Sequence, residues 1–178
     1  MKFRMMPAVL TAVISAGVLV GGWFTYHSVA AVKPLERIVA GTPGVVESTP
    51  VINRNTVTID MKLDRDANLR DVYDHIATEG DSIIGGRELK LDINGTKPSK
   101  QLEDAWSTML FDVAQAMDHR EYASIPQAMN EAHAKFPAVT ATSEMDDVNV
   151  YITLKDDTSV KYIVLPRTSN QMGAWPNV

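Results

Sequence analysis

Between residues 56 and 63, apolar and polar side chains alternate without a break. The apolar members are Val57, Ile59, Met61 and Leu63. Because successive side chains of a strand point to opposite faces, this period of two predicts a β-strand with one buried and one solvated face. Residues 88–94 alternate in the same way. Shorter apolar runs predict further strands at 45–49, 138–143, 148–154 and 159–165.

Apolar residues recur at helical spacing in four other segments, which are residues 33–41, 67–78, 100–119 and 125–135. This spacing gives each segment one apolar stripe. Asp66, Ser99 and Ser124 precede three of the helices and are predicted to cap them. Ser124 and Gln127 have the spacing of a capping box. Trp106 lies on the stripe of the longest helix, which predicts a core position for it.

The elements follow one another as helix, strand, strand, helix, strand, helix, helix and three strands. This order predicts an α+β fold, with a compact domain built on one mainly antiparallel sheet and helices packed on one face of it. The first five elements, between Leu35 and Asn94, resemble in their order the helix–strand–strand–helix–strand modules of ring-building domains in secretion and sporulation machines and of other envelope-associated domains. The resemblance is one of topology alone.

The sequence also leaves open an internal repeat, in which the domain consists of two related helix–strand–strand halves. Residues 35–64 and 125–155 both contain a helix, a proline, a weak strand, a polar turn and an alternating strand. Deleting three residues from the second turn aligns Val57, Ile59, Met61 and Leu63 with Val148, Val150, Ile152 and Leu154. The alternative is that two unrelated hairpins share a pattern.

The first thirty residues differ from the rest of the chain. Lys2 and Arg4 precede a stretch without formal charge, residues 5–32, and its most apolar part, residues 7–24, is 18 residues long. At 1.5 Å per residue this is roughly 27 Å of helix, close to the thickness of the hydrocarbon core of a bilayer. We therefore expect a positive cytoplasmic end at residues 1–6 and a transmembrane anchor at residues 7–30.

The anchor would contact the membrane through residues 7–26 and leave the rest of the chain outside the cytoplasm. On this interpretation residues 31–166 form an extracytoplasmic domain and residues 167–178 a loosely ordered tail. An alternative is a signal peptide, because Ser28-Val29-Ala30 fits the small–x–small pattern of signal peptidase and cleavage after Ala30 would secrete the domain. The length of the apolar run favours an uncleaved, single-pass anchor.

Composition narrows the classes of function. The chain has 178 residues and no cysteine, which excludes disulfide scaffolds, cysteine zinc sites and thiol catalysis. Its formal net charge is −5, and because residues 1–30 hold two basic and no acidic side chains, the remaining 148 residues carry −7. No basic face is evident in this acidic part, so nucleic acid is not expected as a partner.

Candidate chemistry is sparse. The histidines are His27, His75, His119 and His133. No two of them have the i, i+4 spacing of a helical zinc site. Gly85-Gly86 precedes a predicted strand rather than a helix, so it does not form a phosphate loop. No catalytic, cofactor-binding or metal-binding residue is assigned, and no cofactor is expected.

Carboxylates are the abundant reactive groups. Asp64 and Asp66 flank Arg65 and are expected to cap the next helix and pair locally. Two acidic turns, residues 144–147 and 155–158, lie at opposite ends of one predicted strand. At about 3.3 Å per residue they are some 20 Å apart, too far to form one site, and are interpreted as solvated hairpin tips.

These observations favour a membrane-anchored extracytoplasmic module of a bacterial cell envelope, without catalytic activity, that binds another envelope protein or itself. Residues 138–143 are the predicted edge strand at which a partner strand would pair. Two alternatives remain. One is a secreted acidic enzyme or inhibitor, released by cleavage after Ala30. The other is a small-ligand sensor with a pocket near Trp106 and Tyr73.

Overall fold

The computed structural model describes residues 14–22, 31–94 and 97–167. Residues 14–22 are helical, and all of their side chains are exposed. Within these three described stretches, no helix has both the length and the apolar character needed to cross a membrane. The remainder of the expected anchor and cleavage site, and residues 168–178 of the expected tail, lie outside the described residues.

The first half of the domain contains three helices and one three-stranded sheet. The helices are α1 (Lys33–Gly41), α2 (Leu69–Glu79) and the single turn α3 (Asp81–Ile84), and the strands are β1 (Val45–Ile52), β2 (Thr56–Leu63) and β3 (Glu88–Ile93). The sheet order is β1-β2-β3, with β1 and β2 antiparallel and β2 and β3 parallel. A parallel neighbour requires a crossover connection, which α2 and α3 provide.

The second half is built from two helices and a second three-stranded sheet. Its elements are α4 (Lys100–Asp118), a 3₁₀ turn (Tyr122–Ser124), α5 (Ile125–Lys135), β4 (Thr140–Met145), β5 (Asn149–Lys155) and β6 (Val160–Pro166). The three strands form an antiparallel meander in the order β4-β5-β6. The α+β class and the order of the predicted elements are therefore confirmed, whereas the single predicted sheet is two sheets.

Helix capping agrees with the sequence at one of three predicted sites. Ser99 caps α4 as predicted, because its hydroxyl oxygen accepts a hydrogen bond from the amide of Leu102 at 3.1 Å. The prediction for Asp66 is wrong, since α2 is capped by Asn68, whose side-chain oxygen accepts from two following amides. Helix α5 begins where predicted, but Ser124, a described residue, has helical backbone angles and makes no side-chain capping bond.

Each half is held together by a hydrophobic core of its own. The core of the first half lies between the sheet and α1 and α2, and consists of Leu35, Val39, Val57, Ile59, Met61, Val72, Ile76 and Ile84. The core of the second half joins α4 and α5 to one face of β5 and contains thirteen buried residues, among them Met109, Ile152 and Leu154. Burial of apolar side chains is the main favourable term in each half.

Strand β5 is buried on both faces, which sets how the halves stack. Val150, Ile152 and Leu154 face α4 and α5, while Tyr151 faces α2. The Tyr151 ring contacts Tyr73 of α2, with ring centroids 5.7 Å apart and planes tilted by 57°. Helix α2 therefore lies between the two sheets, with α4 and α5 on the outer side of the second sheet.

The helix–hairpin unit does occur twice, as α1-β1-β2 and as α5-β4-β5. The predicted alignment of residues is displaced, however. Val57 is fully buried, whereas Val148 precedes β5 and is 54% exposed. The last paired residues before each turn are Ile52 with Val57 and Met145 with Val150, so the strand register makes Val57 correspond to Val150.

Candidate functional site

Arg65 connects the two halves, although its neighbours Asp64 and Asp66 suggest a local ion pair. Its guanidinium donates hydrogen bonds to the backbone carbonyls of Asp156 and Asp157, the latter at 2.6 Å. The expected local pairing with Asp64 and Asp66 is thus replaced by a contact more than ninety residues away along the chain. Because a carbonyl carries no formal charge, this contact depends on backbone position rather than on the neighbouring side chains.

Asp156 is the centre of a buried hydrogen-bond network in the β5–β6 turn. The residue is only 8% exposed, and its carboxylate accepts from the hydroxyl of Ser99, the amides of Thr158 and Ser159, and both of their hydroxyls. The Ser99 hydrogen bond is the main cause that lowers the pKa of Asp156, and the other donors add to it against the opposing effect of burial. The same carboxylate thereby fixes the N-cap of α4.

The β4–β5 turn repeats this arrangement with a different extra partner. Asp146 accepts from the amides of Val148 and Asn149, both at 2.7 Å, and from the hydroxyl of Tyr151 at 2.6 Å. Burial raises the pKa of Asp146, but the three hydrogen bonds outweigh it, so the pKa is lowered overall. Burial together with the bond to Asp146 raises the pKa of the Tyr151 phenol.

The prediction that both acidic turns are solvated tips is wrong for the first aspartate of each. The second aspartates, Asp147 and Asp157, are exposed as expected. The turns do lie at opposite ends of β5, so they do not form one site. An aspartate that begins a four-residue turn can accept from the amides two and three residues later, which explains why these carboxylates turn inward.

Further contacts between the halves surround Arg65. Tyr162 of β6 donates to the carbonyl of Asp64 at 2.7 Å, and Lys155 pairs with Asp66 at 3.1 Å. Burial, together with the charges of Asp64 and Asp66, raises the pKa of Tyr162 to about 12. We call Arg65, Asp156, Tyr162 and the Lys155–Asp66 pair the junction. Each of these contacts joins a group of one half to a group of the other, which suits a structural role.

The histidines are dispersed over the described part of the molecule, and His27 lies outside it. His75 is half-buried on α2, and His119 is exposed at the C-terminal cap of α4. His133 is exposed, and its Nδ1 lies 2.9 Å from the carbonyl oxygen of Val139. Among the described residues, no group of three or more histidine or acidic side chains is placed to hold a metal ion.

The two aromatic residues considered for a ligand pocket lie on opposite sides of the second sheet. Tyr73 lines a cavity of about 440 Å³ between the halves, together with Arg87 and Pro166. Trp106 packs against the second core and lines a separate cavity of about 330 Å³, beside Leu110 and Leu165. Its predicted core position is partly confirmed, because the indole is half-buried.

The outer side of α4 is the most apolar exposed surface among the described helices of the domain. Phe111 is 79% exposed and Leu110 is 39% exposed, and Ala114 beside them is exposed as well. The half-buried Trp106 and Met117 lie at the edge of the same strip. We call these five residues the α4 strip. Its signal in the sequence is Phe111, an aromatic residue that, at 3.6 residues per turn, lies nearly opposite Met109 and Val113 of the core stripe.

Strand β4 is an edge of its sheet, as predicted, and pairs with β5 alone within the described chain. Four of its six residues are polar, and Thr140, Thr142 and Glu144 are exposed. A charged side chain on a short edge strand discourages pairing with another strand. The α4 strip, rather than β4, is therefore the candidate functional site. Comparison with protein-family models, curated proteins and solved structures finds no match to this chain.

Proposed function

We propose that this chain is a protein-interaction module of the cell envelope, held at the membrane by residues 7–30 and binding a protein partner through the α4 strip. The exposure of Phe111 is the observation that carries the proposal. An exposed aromatic ring beside further apolar side chains is unfavourable in water and is typical of a protein-binding surface.

The rigidity of α4 supports this assignment. On its inner side the helix buries Leu102, Ala105, Met109, Val113 and Ala116 in the second core. Its first turn is fixed by Ser99, which Asp156 holds in turn. A surface on such a helix is already ordered before binding, so little conformational entropy is lost on association.

The proposal is tested by site-specific photo-cross-linking of the full chain in membranes. A photoreactive residue at Ser107, next to the strip, is expected to give discrete protein adducts. Phe111→Ser should abolish them, because it removes the exposed ring and leaves the core unchanged. Val148→Ser is the matched control, since Val148 is also exposed and apolar but lies in the β4–β5 turn. Adducts that persist in Phe111→Ser would overturn the proposed site.

Attachment to the membrane is a separate part of the proposal. Its support is the uncharged, apolar run of residues 7–24, preceded by Lys2 and Arg4. Amino-terminal sequencing of the protein from fractionated cells should find it intact and in the membrane fraction. A mature chain that begins at Ala31 and is found in the soluble fraction would favour the secreted alternative.

A further inference from the structure

We propose that the partner of the α4 strip is a second copy of this chain, with the two α4 helices packed antiparallel about a two-fold axis. This inference rests on the proposed function and adds the identity of the partner. A two-fold interface brings the same surface patch of both copies together, so the patch must be complementary to itself. The arrangement of α4 meets this requirement in shape and in charge.

The shape is that of a helix-pairing seam. Lys100, Ser107 and Ala114 follow one another at intervals of seven residues, and so do Leu110 and Met117. A seven-residue interval returns to nearly the same side of an α-helix, as in coiled coils. Ser107 and Ala114 lie four residues before and three residues after Phe111, so a large exposed ring stands between two small residues. Each copy thus offers both a knob and the space for the knob of its partner.

Charge fixes the direction of pairing. Lys100 and Asp118 are 18 residues apart, which is five helical turns, so both lie on the outer side in line with Ser107. Both are exposed, and the Asp118 side chain is 83% exposed although one of its oxygens lies 3.8 Å from Nε2 of His119. In an antiparallel pair each Lys100 lies opposite the partner's Asp118, at both ends of the contact. A parallel pair would instead place lysine against lysine and aspartate against aspartate, which costs energy.

The absence of cysteine from the sequence gives a clean experiment. The full chain is prepared in detergent as Lys100→Cys and as Asp118→Cys, and the variants are treated with a short bis-maleimide separately and as a mixture. The antiparallel pair predicts a covalent dimer in the mixture. Neither variant alone should cross-link, because its two thiols would be roughly 27 Å apart, at 1.5 Å per residue. Cross-linking of each variant with itself would overturn the antiparallel arrangement.

Sedimentation equilibrium of the cysteine-free chain measures the strength of the pair. Phe111→Ser should weaken dimerisation by a factor of about ten or more, as expected for a central aromatic residue of an interface. Lys100→Asp and Asp118→Lys should each weaken it, and the double variant should restore it. Val148→Ser should leave it unchanged. Dimers that are equally strong in Phe111→Ser would overturn the proposal, because association would then arise elsewhere, for example in residues 7–30.

The outcomes separate this inference from the proposed function. A monomeric chain whose Ser107 photo-cross-linker captures a different protein, with Phe111→Ser abolishing the capture, would overturn the second copy as partner and leave the interaction surface in place. A monomeric chain without any adduct at Ser107 would overturn both. A Ser107 adduct that joins two copies of the chain, together with the mixed cysteine dimer, supports both.

Discussion

The two halves of the domain begin alike and end differently. Each opens with a helix followed by an antiparallel hairpin, α1-β1-β2 in one and α5-β4-β5 in the other. The first half then adds β3 parallel to β2, whereas the second adds β6 antiparallel to β5. A parallel strand needs a crossover helix and an antiparallel strand needs only a tight turn.

This difference determines how the halves meet. The crossover helix α2 packs on the first sheet through Val72 and Ile76 and contacts β5 of the second sheet through Tyr73. The second half needs no crossover, so its helices remain on the outer side and α4 keeps one side free. The parallel placement of β3 therefore supplies, through its crossover helix, the layer that joins the halves, whereas the antiparallel placement of β6 leaves one side of α4 exposed among the described residues.

The largest effect is expected when the two cores are weakened one at a time. Ile59→Ala and Ile152→Ala each delete a fully buried side chain, one in β2 and one in β5. Each should lower the free energy of unfolding of its own half by about 3 kcal/mol. The first core has fewer buried residues, and its helix α2 contacts Tyr151 of the second half. We therefore expect Ile152→Ala to lower amide protection in both halves. Ile59→Ala should lower it in the first half only.

Native-state hydrogen exchange distinguishes these patterns residue by residue. In Ile59→Ala, protection of β5 should stay within about 0.5 kcal/mol of wild type. Equal loss of protection in both halves of both variants would show that the domain unfolds as one cooperative unit, contrary to the comparison.

The next largest effect is expected at the junction. Asp156→Ala removes the acceptor for the hydroxyl of Ser99 and the amides of Thr158 and Ser159, which then lack that partner in a buried turn. We expect a loss of about 2–3 kcal/mol in the free energy of unfolding, measured by urea denaturation. Asp157→Ala is the matched control. Its carboxylate is exposed and its carbonyl still accepts from Arg65, so it should change stability by less than about 0.5 kcal/mol.

Acid titration examines the same carboxylate without removing it. The pKa of Asp156 is lower in the folded chain than the value of about 3.9 expected when the chain is unfolded. Ionised Asp156 therefore contributes its full stabilisation to the free energy of unfolding above about pH 4, and this contribution is lost as the pH falls through the folded pKa. The free energy of unfolding should therefore fall between about pH 4 and about pH 2. Asp156→Asn should flatten part of this slope, and an unchanged slope would show that other carboxylates account for it.

The smallest effect concerns the alignment of the two hairpins. Val57→Thr buries a hydroxyl in the first core and should cost about 1–3 kcal/mol. Val148→Thr, at the position that the sequence pattern pairs with Val57, should change the free energy of unfolding by less than about 0.5 kcal/mol, because this side chain is half exposed. If thermal denaturation shows similar losses of stability in both variants, the alignment of Val57 with Val148 would be favoured over that of Val57 with Val150.

Local patterns in the sequence are sufficient for the longer elements and their order, but not for the single turn α3 or the 3₁₀ turn. The alternation from Val57 to Leu63 and the helix capped by Ser99 were predicted from neighbouring residues, because period and capping are local properties. The number of sheets was not predictable in this way. Nothing in the strand patterns indicates that β3 stays with β2 and that β4 to β6 form a sheet of their own, since pairing joins residues far apart in sequence.

The candidate site shows the same limit. The sequence places Trp106 on the apolar stripe of α4 and Phe111 outside it, but it does not show how much of either ring the second core covers. The role of Asp156 was missed for a related reason. Its short-range partners Thr158 and Ser159 are adjacent, but Ser99 is 57 residues away and the contact with Arg65 is 91 residues away.

The junction has a further consequence for how this chain can vary. Arg65 and Tyr162 both donate to main-chain carbonyls of the opposite half, and every residue type supplies a carbonyl. Asp64 and Asp157, which provide these acceptors, can therefore be substituted in evolution without loss of the hydrogen bonds between the halves. The two donors cannot be substituted in this way. We therefore expect selection on the junction to conserve Arg65 and Tyr162 while the residues that provide the acceptors vary.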